Sequence, residues 1–360
     1  MNAFGSRYRT TIFGTSHGPF VGCTIEGLRA GTPIDVRWVQ GQLDRRRPGQ
    51  SLLTSQRKEE DRVEFAEGLD EGATTGEPIV AMIRNQDVQS KSYANNARVP
   101  RPGHGDFTAL MKYGGKTDLR GGGQLSGRMT APLVVSGAVA RQVLEPKGVR
   151  FFAHAAQIGR VTAGPVSPSQ IEAQVDRTPV RCADLDAADR MIAEIEAARK
   201  DRNSVGGVIE GIVTGLPAGI GEPFFDSVES TLAHLLFSIP AVKGVDFGAG
   251  FRAAAMRGSE HNDPFAIEAG RVVTETNHAG GILGGITNGM PVTFRVAIKP
   301  TASIATPQRS VDLETMTPAD IVVTGRHDPC IVPRAVPVVE NVAAMVVLDL
   351  MFVGGFLWTS

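Results

Sequence analysis

Cysteine is almost missing from this 360-residue chain. Cys23, Cys182 and Cys330 are too few, odd in number and too scattered to frame disulfides or a structural zinc site. A reducing compartment, the cytoplasm, suits that usage. An excess of charge is also missing, with a net charge of −1 and a pI near 6.7. Nucleic-acid and membrane-surface proteins usually carry a basic surplus, so neither class is expected, and local basic clusters must serve something small. The opening MNAFGSRYRTTIFG holds no apolar run of the kind a secretion signal needs, so no signal peptide is expected. The most apolar stretch, Asn341 to Trp358, contains Asp349 and a Gly-Gly pair, which reads as a buried helix rather than a membrane span. Low-complexity tracts are lacking too, and with 42% hydrophobic and 21% charged residues the chain reads as globular, one large domain or two intimately packed ones over 1–360.

Glycine is in surplus. The 42 glycines exceed the roughly 7% average and cluster at 121–123, 206–207, 280–281, 284–285 and 354–355. Such clusters mark either tight turns or places where backbone presses against something, and their neighbours must decide. Around them, Tyr8–Phe13, Val21–Ile25, 76–84, 206–217 and 292–298 read as strands. Helices are predicted over 33–43, 130–144, 183–202 and 227–238, the last opened by a capping pair of Asp226 and Glu229. Stretches 85–100 and 303–318 are expected to pack loosely. Helices and strands interleave without a regular βαβ period, which predicts an α+β fold.

Three histidines sit in loops rich in glycine or proline: His17 in GTSHGP, His104 in RPGHGD beside Asp106, and His327 in GRHDPC beside Asp328. One such histidine is usually structural, but three in loops point to a cleft and to proton transfer. Their spacing matches no zinc motif, so acid–base roles are expected and no metal. Arg45, Arg46 and Arg47 are consecutive and Arg57, Lys58 and Arg62 follow, a local positive field that suits phosphate or carboxylate. A solvated helix end with Asp44, Glu59, Glu60 and Asp61 explains Arg57 to Arg62 as well. GGGQLSG fits neither a P-loop nor a dinucleotide fingerprint. Chemistry alone therefore predicts an enzyme acting on a small phosphorylated carboxylate.

The same residues carry a family resemblance. GTSHG resembles the GESHG of chorismate synthases. LDRRRPGQS, RPGHGDFT, RGGG, GEPFFD, AVKGVDFGAGF, NHAGGILGGITNG, KPT and GRHDPCIVPRAVPVVE resemble its further motifs in order, from about residue 7 to 352. The resemblance implies a β-α-β sandwich with internal pseudo-symmetry, a homotetramer, and conversion of 5-enolpyruvylshikimate 3-phosphate to chorismate and phosphate. It also implies reduced FMN as cofactor, kept reduced by an external flavin reductant. By motif, His17 would protonate the leaving phosphate, His104 would keep the flavin correctly protonated, and Asp328 would assist deprotonation. Ser126, Gly284, Lys299, Pro300, Thr301, Ser303 and Arg326 would fall at flavin positions, and Ser16, Arg45, Arg46 and Arg128 at the substrate. The chain departs from the family pattern at Thr15, Leu52, Gln124, Leu125, Met129, Pro240 and Ala302. Two readings follow: a divergent enzyme with compensating contacts, with Arg128, Arg120 or Lys112 turned inward, or a paralogue with altered flavin use acting as a binding or scaffold protein.

Overall fold

Alternating burial along Val292–Ile298 and Ile79–Arg84 gives each strand one dry face, and two sheets use those faces to enclose a pair of apolar helices. The computed structural model describes residues 2–50, 53, 59–86, 98–118, 120–323 and 327–357. The first sheet is antiparallel throughout, ordered Ala3–Phe4, Arg9–Gly14, Phe20–Glu26, Ile79–Arg84, Val63–Glu67. The second is antiparallel as well, ordered Val242–Phe247, Val292–Ile298, Gly207–Thr214, Arg150–Ile158, Val161–Thr162. Helix Thr130–Leu144 packs on the first sheet and helix Val332–Val353 on the second, and the two helices pack on each other. This is a β-α-β sandwich in which each half repeats the plan of a five-stranded sheet backed by one apolar helix. The α+β expectation holds.

The two central helices meet at Gly137. A Cβ there would lie 2.1 Å from the carbonyl oxygen of Asn341, so only glycine allows this approach. The apolar C-terminal run is a buried helix, as expected, but it starts earlier than Asn341, with Pro333 in its first turn and Pro337 inside it. Its length and apolarity would suffice to cross a membrane, yet 94% of that window is buried inside the fold. Asp349 belongs there because its carboxylate accepts the backbone N–H groups of Ser6, Arg7 and Tyr8 at 2.7–3.0 Å, tying the N-terminal turn to the core.

Other expectations shift by a few residues. Helix Val36–Arg46 begins after Pro33, with Asp35 as its N-cap accepting from the N–H groups of Arg37 and Trp38. Helix Val228–Leu236 is capped by Ser227, which accepts from Ser230 N–H, and not by Asp226, whose backbone instead pairs with Glu222. Part of the stretch expected to pack loosely at 303–318 belongs to the hairpin Gln308–Asp312/Thr317–Ile321, held to the segment before the His104 loop by Ser310 Oγ donating to Pro100 O at 2.6 Å. Residues 87–97 of the other such stretch lie outside the described residues.

Glu340 is a second acid on the buried C-terminal helix. Burial alone would raise its carboxyl, but Arg45, and with it Arg141 and Arg181, holds it below the usual glutamate range. A depressed carboxyl contributes stability in full above the unfolded pKa, about 4.3, and loses it as pH falls through the lower folded value. Glu340→Gln is therefore expected to cost about 1.5–3 kcal/mol near neutrality. In denaturant titrations the gap between parent and variant should narrow below about pH 4; a pH-independent gap would refute the charge argument.

Candidate active site

The loop Thr15–Gly18 joins two neighbouring strands of the first sheet, Arg9–Gly14 and Phe20–Glu26, and presents His17. Asn85 holds that loop by donating from Nδ2 to the carbonyls of Thr15 and Gly18, and its own Oδ1 accepts from Arg128 Nε at 2.8 Å. Behind the ring, Ser16 is fully buried. Ser16 Oγ lies within 3.3 Å of the carbonyls of Arg120 and Gly121 and 3.2 Å from His17 Nδ1. The hydroxyl has one proton; when that goes to a carbonyl, its oxygen accepts from Nδ1–H, and Nε2 is the nitrogen left to exchange a proton.

The three consecutive glycines now have separate reasons. All take left-handed φ values. A Cβ on Gly121 would lie 1.9 Å from His17 Cε1, one on Gly122 would touch the His104 ring at 3.5 Å, and one on Gly123 would strike Asp118 O at 2.0 Å. The turn thus seats two imidazoles on adjacent bare Cα positions. Gly121→Ala is expected to push His17 off its seat and lower turnover by roughly a hundredfold, the cost of about 1 Å of misplacement. Gly148→Ala shares the left-handed φ but has nothing within 4 Å of its Cβ, and so it reports the backbone cost alone. Equal kinetics for the two variants would remove the seating argument.

His104 precedes helix Asp106–Tyr113. Its Nδ1 lies 2.7 Å from Asp106 Oδ1, and Arg101 closes on the same carboxylate through Nε and Nη2, both at 2.7 Å. Burial would raise the Asp106 carboxyl, but hydrogen bonds from Arg101 and His104 outweigh it and hold the group far below the usual range. Arg101 Nη1 also donates to Ser303 Oγ at 3.0 Å, and Lys299 Nζ donates to Gly103 O, so the 101–106 loop is latched twice to the 299–303 loop. Burial, and then Lys243, lowers the Lys299 ammonium.

These loops enclose a cavity of about 560 Å³, within the usual range for small-molecule sites. His17, His104, Asp328, Ser126, Lys299, Pro300, Thr301, Ser303, Arg46 and Arg128 all line it. Three others do not. Ser16 lies behind His17, Gly284 sits on the turn between Ile282–Leu283 and Ile286–Thr287, and Arg45 pairs with Glu340 and Asp176 beside a separate cavity. Arg326 and Leu52 lie outside the described residues. Arg120 pairs with Asp118 at the surface and neither it nor Lys112 lines the cavity, whereas Arg128 does. Leu125 lines it too, as an apolar wall, while Met129 is buried at 6% exposure.

Arg46 differs most from a free substrate-binding cation. Its side chain is 2% exposed, and Nη1 meets Asp61 Oδ2 at 2.5 Å while Arg128 pairs with the other oxygen of Asp61. Burial pushes Arg46 down to about 9 against the pull of Asp61, with Arg334 and Arg128 adding to the push. Asp61, which burial would raise, is kept low by Arg46 and Arg128. Sequence reasoning missed Asp61, Arg101 and Arg334 as site-builders; Arg334 Nη1 donates to Asp328 Oδ2 at 2.7 Å and completes the wall.

Two seated imidazoles and a carboxylate, in a cavity whose walls carry five cations, define an enzyme that moves protons on a small, densely anionic molecule. The family model for chorismate synthase matches residues 8–352. The chain belongs to the chorismate synthase family, lyases of the shikimate pathway. It is 52% identical to the chorismate synthase of Methanocella arvoryzae over 99% of this chain and 95% of that one. It is 49% identical to the chorismate synthase of Korarchaeum cryptofilum over 96% of each. A crystal structure of chorismate synthase superposes with a TM-score of 0.77 at 26% identity, covering 97% of this chain and 92% of that one.

Proposed function

We propose that this cavity eliminates phosphate from 5-enolpyruvylshikimate 3-phosphate to give chorismate, with His17 as the acid for the leaving group. The observation that carries the reading is the glycine turn at 121–122, which brings two imidazoles to one cation-lined cavity. The C–O bond to phosphate breaks, a ring proton is lost, and no electrons are gained or lost overall. Negative charge grows on the departing phosphate, where Arg128 and Arg334 with protonated His17 can stabilise it. Asp328, held by Arg334, would take part in accepting the ring proton.

The residues present fit reduced FMN. Thr301 Oγ1 is buried on the cavity wall without a hydrogen-bond partner among the described residues, a polar group that a ligand would satisfy. Ser126, Lys299, Pro300, Thr301 and Ser303 would hold the flavin, with Arg101 supporting Ser303. When bound, the reduced flavin supplies electron density beneath the substrate ring. His104 would hold the proton that keeps it in the productive form. A single catalytic unit over 1–360, a homotetramer in the cytoplasm and an external flavin reductant complete the reading. Exposed Phe224, Phe225, Phe251, Phe265 and Ile267 support burial against other copies.

The test is phosphate release from 5-enolpyruvylshikimate 3-phosphate with dithionite-reduced FMN under anaerobic conditions. Stoichiometric phosphate and chorismate are expected. Substrate binding without either product would overturn the reading.

A further inference from the structure

His104 can hold a proton productively only if its two nitrogens are kept distinct, and the fold provides one group that does this. We infer that Asp106 is a positioning residue: its carboxylate fixes His104 in the Nδ1–H tautomer and directs Nε2 to the glycine turn, while Arg101 locks the carboxylate itself. This rests on the role given to His104 above, but it concerns the state of the ring and can be measured without turnover.

The geometry leaves Asp106 little freedom. Oδ1 takes His104 Nδ1 and Arg101 Nη2, both at 2.7 Å, and Oδ2 takes Arg101 Nε at 2.7 Å and Arg101 backbone N–H at 3.1 Å. Both oxygens thus face donors only. Asp106 is 3% exposed and opens its helix, where the unpaired N–H groups and the helix dipole also favour a carboxylate. Arg101 is 4% exposed. Its Nη2 also lies 3.0 Å and 3.2 Å from the two His104 nitrogens, and a guanidinium has no lone pair to offer either of them. The proton on Nδ1 must therefore be given to Asp106. On the other side, Gly122 faces Cε1 and Nε2 of the same ring.

Asparagine keeps the shape of aspartate but replaces one acceptor with an NH2 group, and either rotation of that amide points it at Arg101. Asp106→Asn should therefore release the ring without enlarging the site. The expected result, from nitrogen-15 spectra of the histidine-labelled full chain, is one Nδ1–H signal set for His104 in the parent and a mixture of tautomers in the variant. Turnover should fall at least about tenfold, with KM changed less than about threefold, since an orienting carboxylate acts on the ring and not on the ligand. Asp106→Glu, which retains the charge, should recover most of the parent spectrum. Arg101→Gln, which frees the carboxylate, gives a second reading of the same signals should the asparagine variant not fold.

Identical His104 signals in parent and Asp106→Asn would overturn the inference, as would a variant whose only change is a lower melting temperature. The two readings also fail separately. Full turnover in His104→Ala would end the proton role of His104 while leaving the spectroscopic result for Asp106 intact.

Discussion

His17→Ala is expected to lower kcat by a hundredfold or more while KM changes little, the range found when a positioned acid or base is removed. The ring is half-buried and its closest structural demand is on Gly121, so alanine leaves a void above a turn held independently by the N–H groups of Ser16 and Ser126 donating to Gly123 O at 3.2 and 3.4 Å. Folding should therefore survive. Steady-state kinetics with reduced FMN, together with a thermal melt, separates the two effects. Turnover near that of the parent enzyme would mean that phosphate leaves without this proton, and the assignment of His17 would be lost.

Asp61→Asn is expected to have the largest effect on stability, about 3–5 kcal/mol, because it strands two buried guanidiniums on one neutral amide. Asp61 is 1% exposed, Arg46 2% and Arg128 5%, so water cannot take its place. Arg46 also donates to Thr130 Oγ1 and Gly127 O, and Arg128 to Asn85 and Arg84 O, so the damage should reach the His17 loop through Asn85. Urea unfolding gives the stability loss. A loss under 1 kcal/mol would show that the triad is solvated in solution. For the same reason Arg46→Ala would remove a cavity wall and leave Asp61 to Arg128, so weaker substrate binding in that variant would not measure one lost phosphate contact.

The departures from the family pattern have a similar lesson. Leu125, where the resemblance implies a hydroxyl, forms an apolar wall that a Cβ on Gly105 would meet at 2.8 Å. Neither Arg120 nor Lys112 lines the cavity to compensate, and Gln124 does not line it either. Arg128 and Arg101 already line it. The cavity is therefore cationic through Arg46, Arg101, Arg128, Lys299 and Arg334, with Leu125 as its apolar wall after the glycine turn.

What the sequence by itself determined is local. Helix Thr130–Leu144 and strand Val292–Ile298 fall where period and stop signals place them, because apolar spacing and a following glycine act within a few residues. The three histidine loops were legible for the same reason: glycine and proline around a titratable ring show in the sequence as they stand. What only the tertiary structure decided is which charges meet. Asp61 stands among Glu59, Glu60 and Arg62 like part of a solvated surface, yet it is in the core, because Arg46 and Arg128 arrive from chain positions 15 and 67 residues away. Arg45 and Arg46 are adjacent and alike, but successive helix positions face different neighbours, so one serves Glu340 behind the cavity and the other lines it. Gly121, Gly122 and Gly123 show as a cluster in sequence, but only Gly123 answers to a near neighbour, Asp118 O; the rings that Gly121 and Gly122 make room for are those of His17 and His104, on loops far along the chain. Electrostatic pairing and close approach depend on distances in space, and those exist only once the two sheets have closed on their helices.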